Sequence, residues 1–198
     1  MSDTVRNGLI AFVAALIVIV GAFGYVEFYA GRDDAALAPV AVGGPFTLTD
    51  QNGATRSDTE FRGKLMLIYF GYTYCPDVCP TTLDMMTRAL AALGPDAQKV
   101  VPIFITVDPG RDTPAQMKTY ASNFDPRLVA LTGSPEAIAS VAGEYRVYYQ
   151  KAKGENGGDY TVDHSSAIYL MGRDGRYVGH FDPGITPDKL AATLRKYL

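Results

Sequence analysis

No stretch of the chain gathers lysine and arginine densely enough to follow a nucleic-acid backbone, and the formal net charge is −3. Nucleic acid is therefore excluded as a partner. Internal repeats are absent, and so is a glycine-rich phosphate loop. The nearest candidate for such a loop, DPGRDTP at 108–114, holds a single glycine. Charged residues make up only 20% and hydrophobic residues 47%, which excludes a wholly disordered chain. The 198 residues suffice for one well-filled domain and an appendage. Cysteine and histidine are scarce, at two of each.

The appendage is N-terminal. Residues 7–26, NGLIAFVAALIVIVGAFGYV, form a run of 20 without a charge. At about 1.5 Å per helical residue the run measures roughly 30 Å, the thickness of a bilayer's hydrocarbon core. A cleaved signal peptide has a shorter apolar core and a small-x-small site close behind it. Here ALA at 36–38 comes too late. The expected organisation is a cytoplasmic stub (1–6), a transmembrane anchor (7–26), a linker (27–44) rich in Ala, Gly and Asp, and a folded domain (45–198). Arg6 and the α-amino group on one side, against Glu27 and GRDD on the other, place the main domain outside by the positive-inside rule. The expected location is the inner (cytoplasmic) membrane, single-pass, with the domain in an oxidising periplasm.

Within 45–198, FTLTDQNGATRS reads as a hairpin around Asn52-Gly53. KLMLIYFGYT (64–73) reads as a central strand buried on both faces, and TTLDMMTRALAAL (81–93) as an amphipathic helix stopped by Gly94-Pro95. The Met85-Met86 pair in that helix is read as ordinary core rather than a thioether copper site. KVVPIFITV is a second buried strand, followed by a helix over 114–123 and the strand LVAL. Ser134 caps a further helix with Pro135 at its first position. VYYQKA and DYTVDHSSAIYLM read as strands flanking the Gly-rich KGENGG, RDGRYVGHF as a hairpin around Asp174-Gly175, and TPDKLAATLRKYL as a terminal helix. The expected class is α/β, a central mixed sheet flanked by helices. This order matches the thioredoxin-like fold, with an N-terminal transmembrane helix added.

Both cysteines lie in GYTYCPDVCPTTL, at 75 and 79. A disulfide over so short a loop removes little unfolded-state entropy, which leaves a working dithiol or a metal site. Each cysteine precedes a proline, a step that disfavours helical backbone. A strained turn into a helix is expected, with both sulfurs near the helix N-terminus, where thiolate is favoured. Asp77 between them opposes ionisation unless a cation binds or the carboxylate caps the turn. Two thiolates need a third ligand. His164, in VDHSSAIYL, is preferred to His180, in YVGHFDPG. Two sulfurs and one imidazole suit copper, Cu(I) best of all. Structural zinc would need a fourth ligand, with only Asp77 or Asp163 in view.

GYTYCPDVCPTTL, VDPGRDTP and DYTVDHSSAIYLMGRDG, in that order, resemble the Sco/SenC family of membrane-anchored copper-binding proteins, from about Pro45 to the C-terminus. The resemblance implies a thioredoxin-like domain that carries one copper per chain to the Cu(A) centre of cytochrome c oxidase subunit II. Its implied ligands are Cys75, Cys79 and His164, and a periplasmic copper donor is an implied further partner. Family members are also credited with thiol–disulfide chemistry, for which Cys75 and Cys79 are the redox-active dithiol. The haem-binding extension of some relatives is not expected, since the sequence holds no C-x-x-C-H. The readings are a metallochaperone, a thiol–disulfide oxidoreductase or a copper or redox sensor, all using the same residues.

Overall fold

The computed structural model of the chain describes residues 3–30, 41–153 and 159–198. Two units are distinguished, Met1–Val40 and Ala41–Leu198. The first holds helix α1, Asp3–Ala30. Among the described residues no helix is long and apolar enough to cross a membrane, which overturns the transmembrane helix expected over 7–26. Of the expected linker, 31–40 lie outside the described residues, as do 154–158 of the Gly-rich segment.

The second unit runs β1 (Thr47–Asp50), β2 (Thr55–Ser57), β3 (Leu65–Gly71), α2 (Val78–Ala92), β4 (Val100–Thr106), α3 (Pro114–Ala121), β5 (Val129–Thr132), α4 (Pro135–Glu144), β6 (Tyr149–Ala152), β7 (Thr161–His164), β8 (Ile168–Met171), β9 (Tyr177–Phe181) and α5 (Pro187–Leu194). A seven-stranded mixed sheet has the order β2-β1-β5-β4-β3-β8-β9, and β6 and β7 pair in a sheet of their own. The β1–β2 hairpin turns as expected. Gly53 takes φ +83°, and the Asp50 carboxylate accepts the N–H groups of Asn52 and Ala54 at 2.8 and 2.9 Å.

Every residue of β3 is buried, because β4 lies parallel on one side and β8 antiparallel on the other. Side chains such as Leu67, Ile68 and Phe70 each contribute roughly 1.5–3 kcal/mol by leaving water. Met85 and Met86 of α2 are likewise buried in this core. Ser134 caps α4 by accepting the Ala137 N–H at 3.2 Å, with Pro135 as its first residue.

Two local expectations are corrected. Helix α2 begins at Val78 and includes Cys79, although Cys79 precedes a proline. Pro80 falls in the first turn, where a backbone N–H has no intrahelical acceptor anyway. The strand expected over 159–171 is two strands in different sheets, β7 and β8. Ser165, just past β7, bonds to Tyr148 beside β6, and the chain then leaves that pairing to enter β8. Ser165 N–H donates to Tyr148 O at 2.9 Å, and Tyr148 N–H donates to Ser165 Oγ at 3.1 Å.

The sheet's connectivity positions three segments together. β3 and β4 end side by side, with Gly71 opposite Thr106. β8 runs the other way, so its first residue, Ile168, pairs with Tyr69 near the end of β3. The cysteine loop, the 108–113 turn and the His164 segment therefore meet at one edge, the usual place for a site in an α/β sheet. Gly71 permits this approach. A Cβ there would lie 2.8 Å from Cys79 Sγ and 2.9 Å from the Phe104 ring. Gly71→Ala is expected to destabilise the chain by about 1–3 kcal/mol, seen as a lower urea midpoint at unchanged slope.

Candidate metal centre

Cys75 lies on the loop after β3 and is half-buried, whereas Cys79, in the first turn of α2, is fully buried. Both are free thiols, not a disulfide. The helix start brings them together: Cys79 N–H donates to Cys75 Sγ at 3.4 Å. A sulfur thus does the work of a helix cap. Asp77, which stands at the N-cap position, makes no side-chain bond to the helix backbone and accepts only from Thr81 Oγ1, at 3.3 Å.

His164, the last residue of β7, places Nε2 3.4 Å from Cys79 Sγ. The three candidate donor atoms, two Sγ and one imidazole nitrogen, all lie within 4.8 Å of one another. The ring's other nitrogen, Nδ1, is 3.0 Å from the Ser165 carbonyl oxygen. A carbonyl can only accept, so Nδ1 carries the proton and Nε2 keeps its lone pair toward the sulfurs. Tyr69 and Tyr72 meet the imidazole edge-on, with centroids 6.2 and 5.9 Å away at 68° and 87°.

The sulfurs divide their roles electrostatically. The Cys79 thiol shares its proton with Cys75, the nearby His164 ring adds to that, and the N–H groups of Cys79 and Asp77 add less. Together they outweigh burial and lower the Cys75 pKa to about 4. The same shared proton and full burial push the Cys79 thiol well up. Tyr69 donates to Cys79 Sγ at 3.7 Å, and burial keeps that hydroxyl protonated. The metal-free pair is thus one thiolate and one thiol, and a cation would displace the Cys79 proton. Among the described residues no carboxylate joins the donor group. Asp77 and Asp163 are both exposed, so the fourth ligand that structural zinc usually takes is not supplied. His180 is exposed on β9, with Nδ1 2.5 Å from Tyr177 OH, and takes no part.

The family model described as SCO1/SenC matches residues 34–198, a span that includes all three donors. The chain belongs to the SCO1/SenC family. It is 40% identical over 174 residues to the SCO2-like protein of Rickettsia prowazekii, covering 87% of this chain and 85% of that one. It is similar to the solved structure of Bradyrhizobium japonicum ScoI with copper bound, at 56% identity and a TM-score of 0.75, covering 80% of this chain and 100% of that one. It is also similar to the structure of BsSco, at 28% identity and a TM-score of 0.63, covering 81% and 95%. BsSco is described as a Sco-family cytochrome c oxidase assembly protein with a disulfide switch.

Within this SCO1/SenC chain the structure unites the three residues singled out in the sequence. It adds Tyr69, Tyr72 and Gly71, which the sequence pattern does not single out. A wholly buried strand has no alternation to mark Tyr69 as facing the site. The glycine ending an otherwise apolar strand is the available signal for a close approach.

The divided roles of the sulfurs have a measurable consequence. Cys75, accessible and already ionised, is expected to react with iodoacetamide at a nearly constant rate from about pH 6 to 8, whereas an ordinary thiol gains about tenfold per unit there. Mass mapping of the alkylated residue should find Cys75, and Cys79 should remain unmodified in the folded chain.

Proposed function

We propose that this chain binds one copper ion through Cys75, Cys79 and His164 and delivers it to the Cu(A) centre of cytochrome c oxidase subunit II during assembly of that enzyme. The observation that carries the reading is the donor set itself: two sulfurs and an imidazole lone pair converge, with no carboxylate among them. Such a soft, three-donor set suits Cu(I), and Cu(II) is accommodated with an added ligand. The copper-bound state of the similar ScoI supports the choice of metal. The oxidase-assembly role stated for BsSco supports the choice of target. Transfer proceeds by ligand exchange, the target's thiolates replacing Cys75, Cys79 and His164 one at a time. A copper donor upstream and a periplasmic setting belong to the same proposal.

A second reading is favoured by the accessible Cys75 thiolate with Cys79 buried behind it. In it Cys75 attacks a disulfide of the target, forming a mixed disulfide and releasing one target thiolate. Cys79 then attacks the Cys75 sulfur and releases the second. The target gains two electrons, and this chain is left with a Cys75–Cys79 disulfide that a further dithiol must reduce.

The two readings separate in His164→Ala of the full chain. Copper delivery predicts about one copper per wild-type chain, and a Cu(II) affinity in the variant lower by at least about 100-fold, since loss of an outer-shell partner alone costs 10–100-fold. Unchanged Cu(II) binding would overturn the ligand assignment. Reduction of a peptide disulfide at the wild-type rate by the same variant would favour the exchange reading.

A further inference from the structure

The DPGRDTP turn supplies no donor atom, yet it touches both segments that do. It leaves β4 beside the end of β3, where Val107 N–H donates to Gly71 O at 2.7 Å. On the cysteine side, the fully buried Asp112 carboxylate accepts the Thr73 N–H at 3.0 Å and the Thr73 hydroxyl at 2.6 Å. Thr106 Oγ1 donates to the same carboxylate at 2.6 Å, tying it to β4. The backbone two residues ahead of Cys75 is thereby fixed.

On the histidine side the contact is made by Arg111. Its Nη1 donates to the Tyr160 carbonyl at 3.0 Å, and its guanidinium carbon lies 3.7 Å from the Tyr160 ring centroid. Tyr160 immediately precedes β7, the strand that ends in His164. The same guanidinium lies 4.7 Å from the ring centroid of Tyr74, the residue before Cys75. One planar cation is therefore in contact with an aromatic ring from each segment that delivers a donor.

The electrostatic arrangement shows what this contact costs. Arg111 Nε is 2.5 Å from the Asp108 carboxylate, whose side chain is fully buried, while the Arg111 side chain is only 16% exposed. Tyr160 OH donates to Asp108 at 2.9 Å, and Lys151 Nζ, from the partner strand of β7, is 3.7 Å from it. A pair so far from water brings little net stability, because desolvation offsets the attraction. Arg111 Nη2 is buried and, among the described residues, has no hydrogen-bond partner. An arginine held at that cost is better explained by the geometry it imposes than by the energy it contributes.

We propose that Arg111 is a positioning residue that holds β7, and with it the His164 imidazole, against the cysteine loop. It touches none of the donors and acts through Tyr160 and Tyr74. The cysteine pair is set separately by the first turn of α2, so loss of the clamp frees the histidine arm and leaves the sulfurs in place. This inference rests on the copper-site reading for its metal readouts, but not for its exchange readout.

The test compares the full-length chain with Arg111→Ala, Arg111→Lys and Tyr160→Leu. Arg111→Ala strands the buried Asp108 carboxylate and can unfold the chain. Tyr160→Leu removes the ring while the Asp108–Arg111 pair remains. In Arg111→Ala and Tyr160→Leu, amide hydrogen exchange at Thr161–His164 is expected to quicken by about tenfold or more while β3 and β4 stay protected. Cu(II) affinity is expected to fall by about 10–100-fold, with weakened imidazole nitrogen coupling in the electron paramagnetic resonance spectrum, while Cu(I) binding by the two thiolates is little changed. Arg111→Lys keeps the charge but not the planar stack, and is expected to restore only part of the loss. Wild-type exchange at 161–164 with unaltered nitrogen coupling in Tyr160→Leu would overturn the proposal. So would uniform acceleration across β3 and β4, which would mark a merely structural role. If the wild-type chain binds no copper, the copper reading fails, and exchange at 161–164 still decides the positioning role.

Discussion

Cys79 Sγ and His164 Nε2 lie 3.4 Å apart although 85 residues separate them in sequence. That proximity depends on β3 having a parallel neighbour on one side and an antiparallel one on the other. The parallel pairing with β4 buries β3 and delivers the cysteine loop at its end. The antiparallel pairing with β8 brings the chain back so that Ile168 pairs with Tyr69, and His164, four residues before Ile168, comes to the same end of β3. Gly71 leaves the space in which the Cys79 sulfur sits. Without any one of these three conditions the cysteines and the histidine would not form one group.

The site is poised rather than relaxed. Cys75 is ionised because a helix N-terminus and a neighbouring thiol both donate to it, and Cys79 keeps its proton because it is buried beside that charge. A backbone carbonyl at Nδ1 fixes the imidazole tautomer that turns the Nε2 lone pair toward the sulfurs. A cation entering this group meets one ready thiolate, one thiol that gives up its proton, and one ready nitrogen. The same arrangement serves disulfide exchange, since an exposed thiolate backed by a buried thiol is the order in which such chemistry proceeds. Delivery and exchange are thus two uses of one local electrostatic pattern. Arg111 and Asp112 carry the constraint outward, tying the loop and the histidine strand to a turn that neither reading needs chemically.

The strongly patterned parts of the chain are legible in the residues alone. Asn52-Gly53 announces a hairpin, the unbroken run from Leu65 announces a central strand, and the cysteines fall at its end. His164 is preferred to His180 because its segment returns toward the cysteine loop, and the structure places it there. Three features are hidden for physical reasons. Cys79 enters the helix in spite of Pro80, because a first-turn proline loses nothing that the helix uses. The break between β7 and β8 comes where Ser165 bonds to Tyr148, 17 residues away in sequence, which a hydropathy pattern does not register. The Arg111 contacts join residues 37 and 49 positions apart, Tyr74 and Tyr160, and no local spacing reveals them. The reading of 7–26 as a membrane span rests on the length of an uncharged apolar run and the lack of a cleavage site close behind it, and among the described residues no helix is long and apolar enough to cross a membrane.

X-ray absorption at the copper edge of the Cu(I)-loaded full-length chain tests the central claim most directly. The account predicts a first shell of two sulfur scatterers and one imidazole nitrogen, with the nitrogen and its outer-ring scattering lost in His164→Ala and the sulfurs retained. A shell of sulfur alone in the wild type, or an imidazole signal that survives His164→Ala, would contradict it.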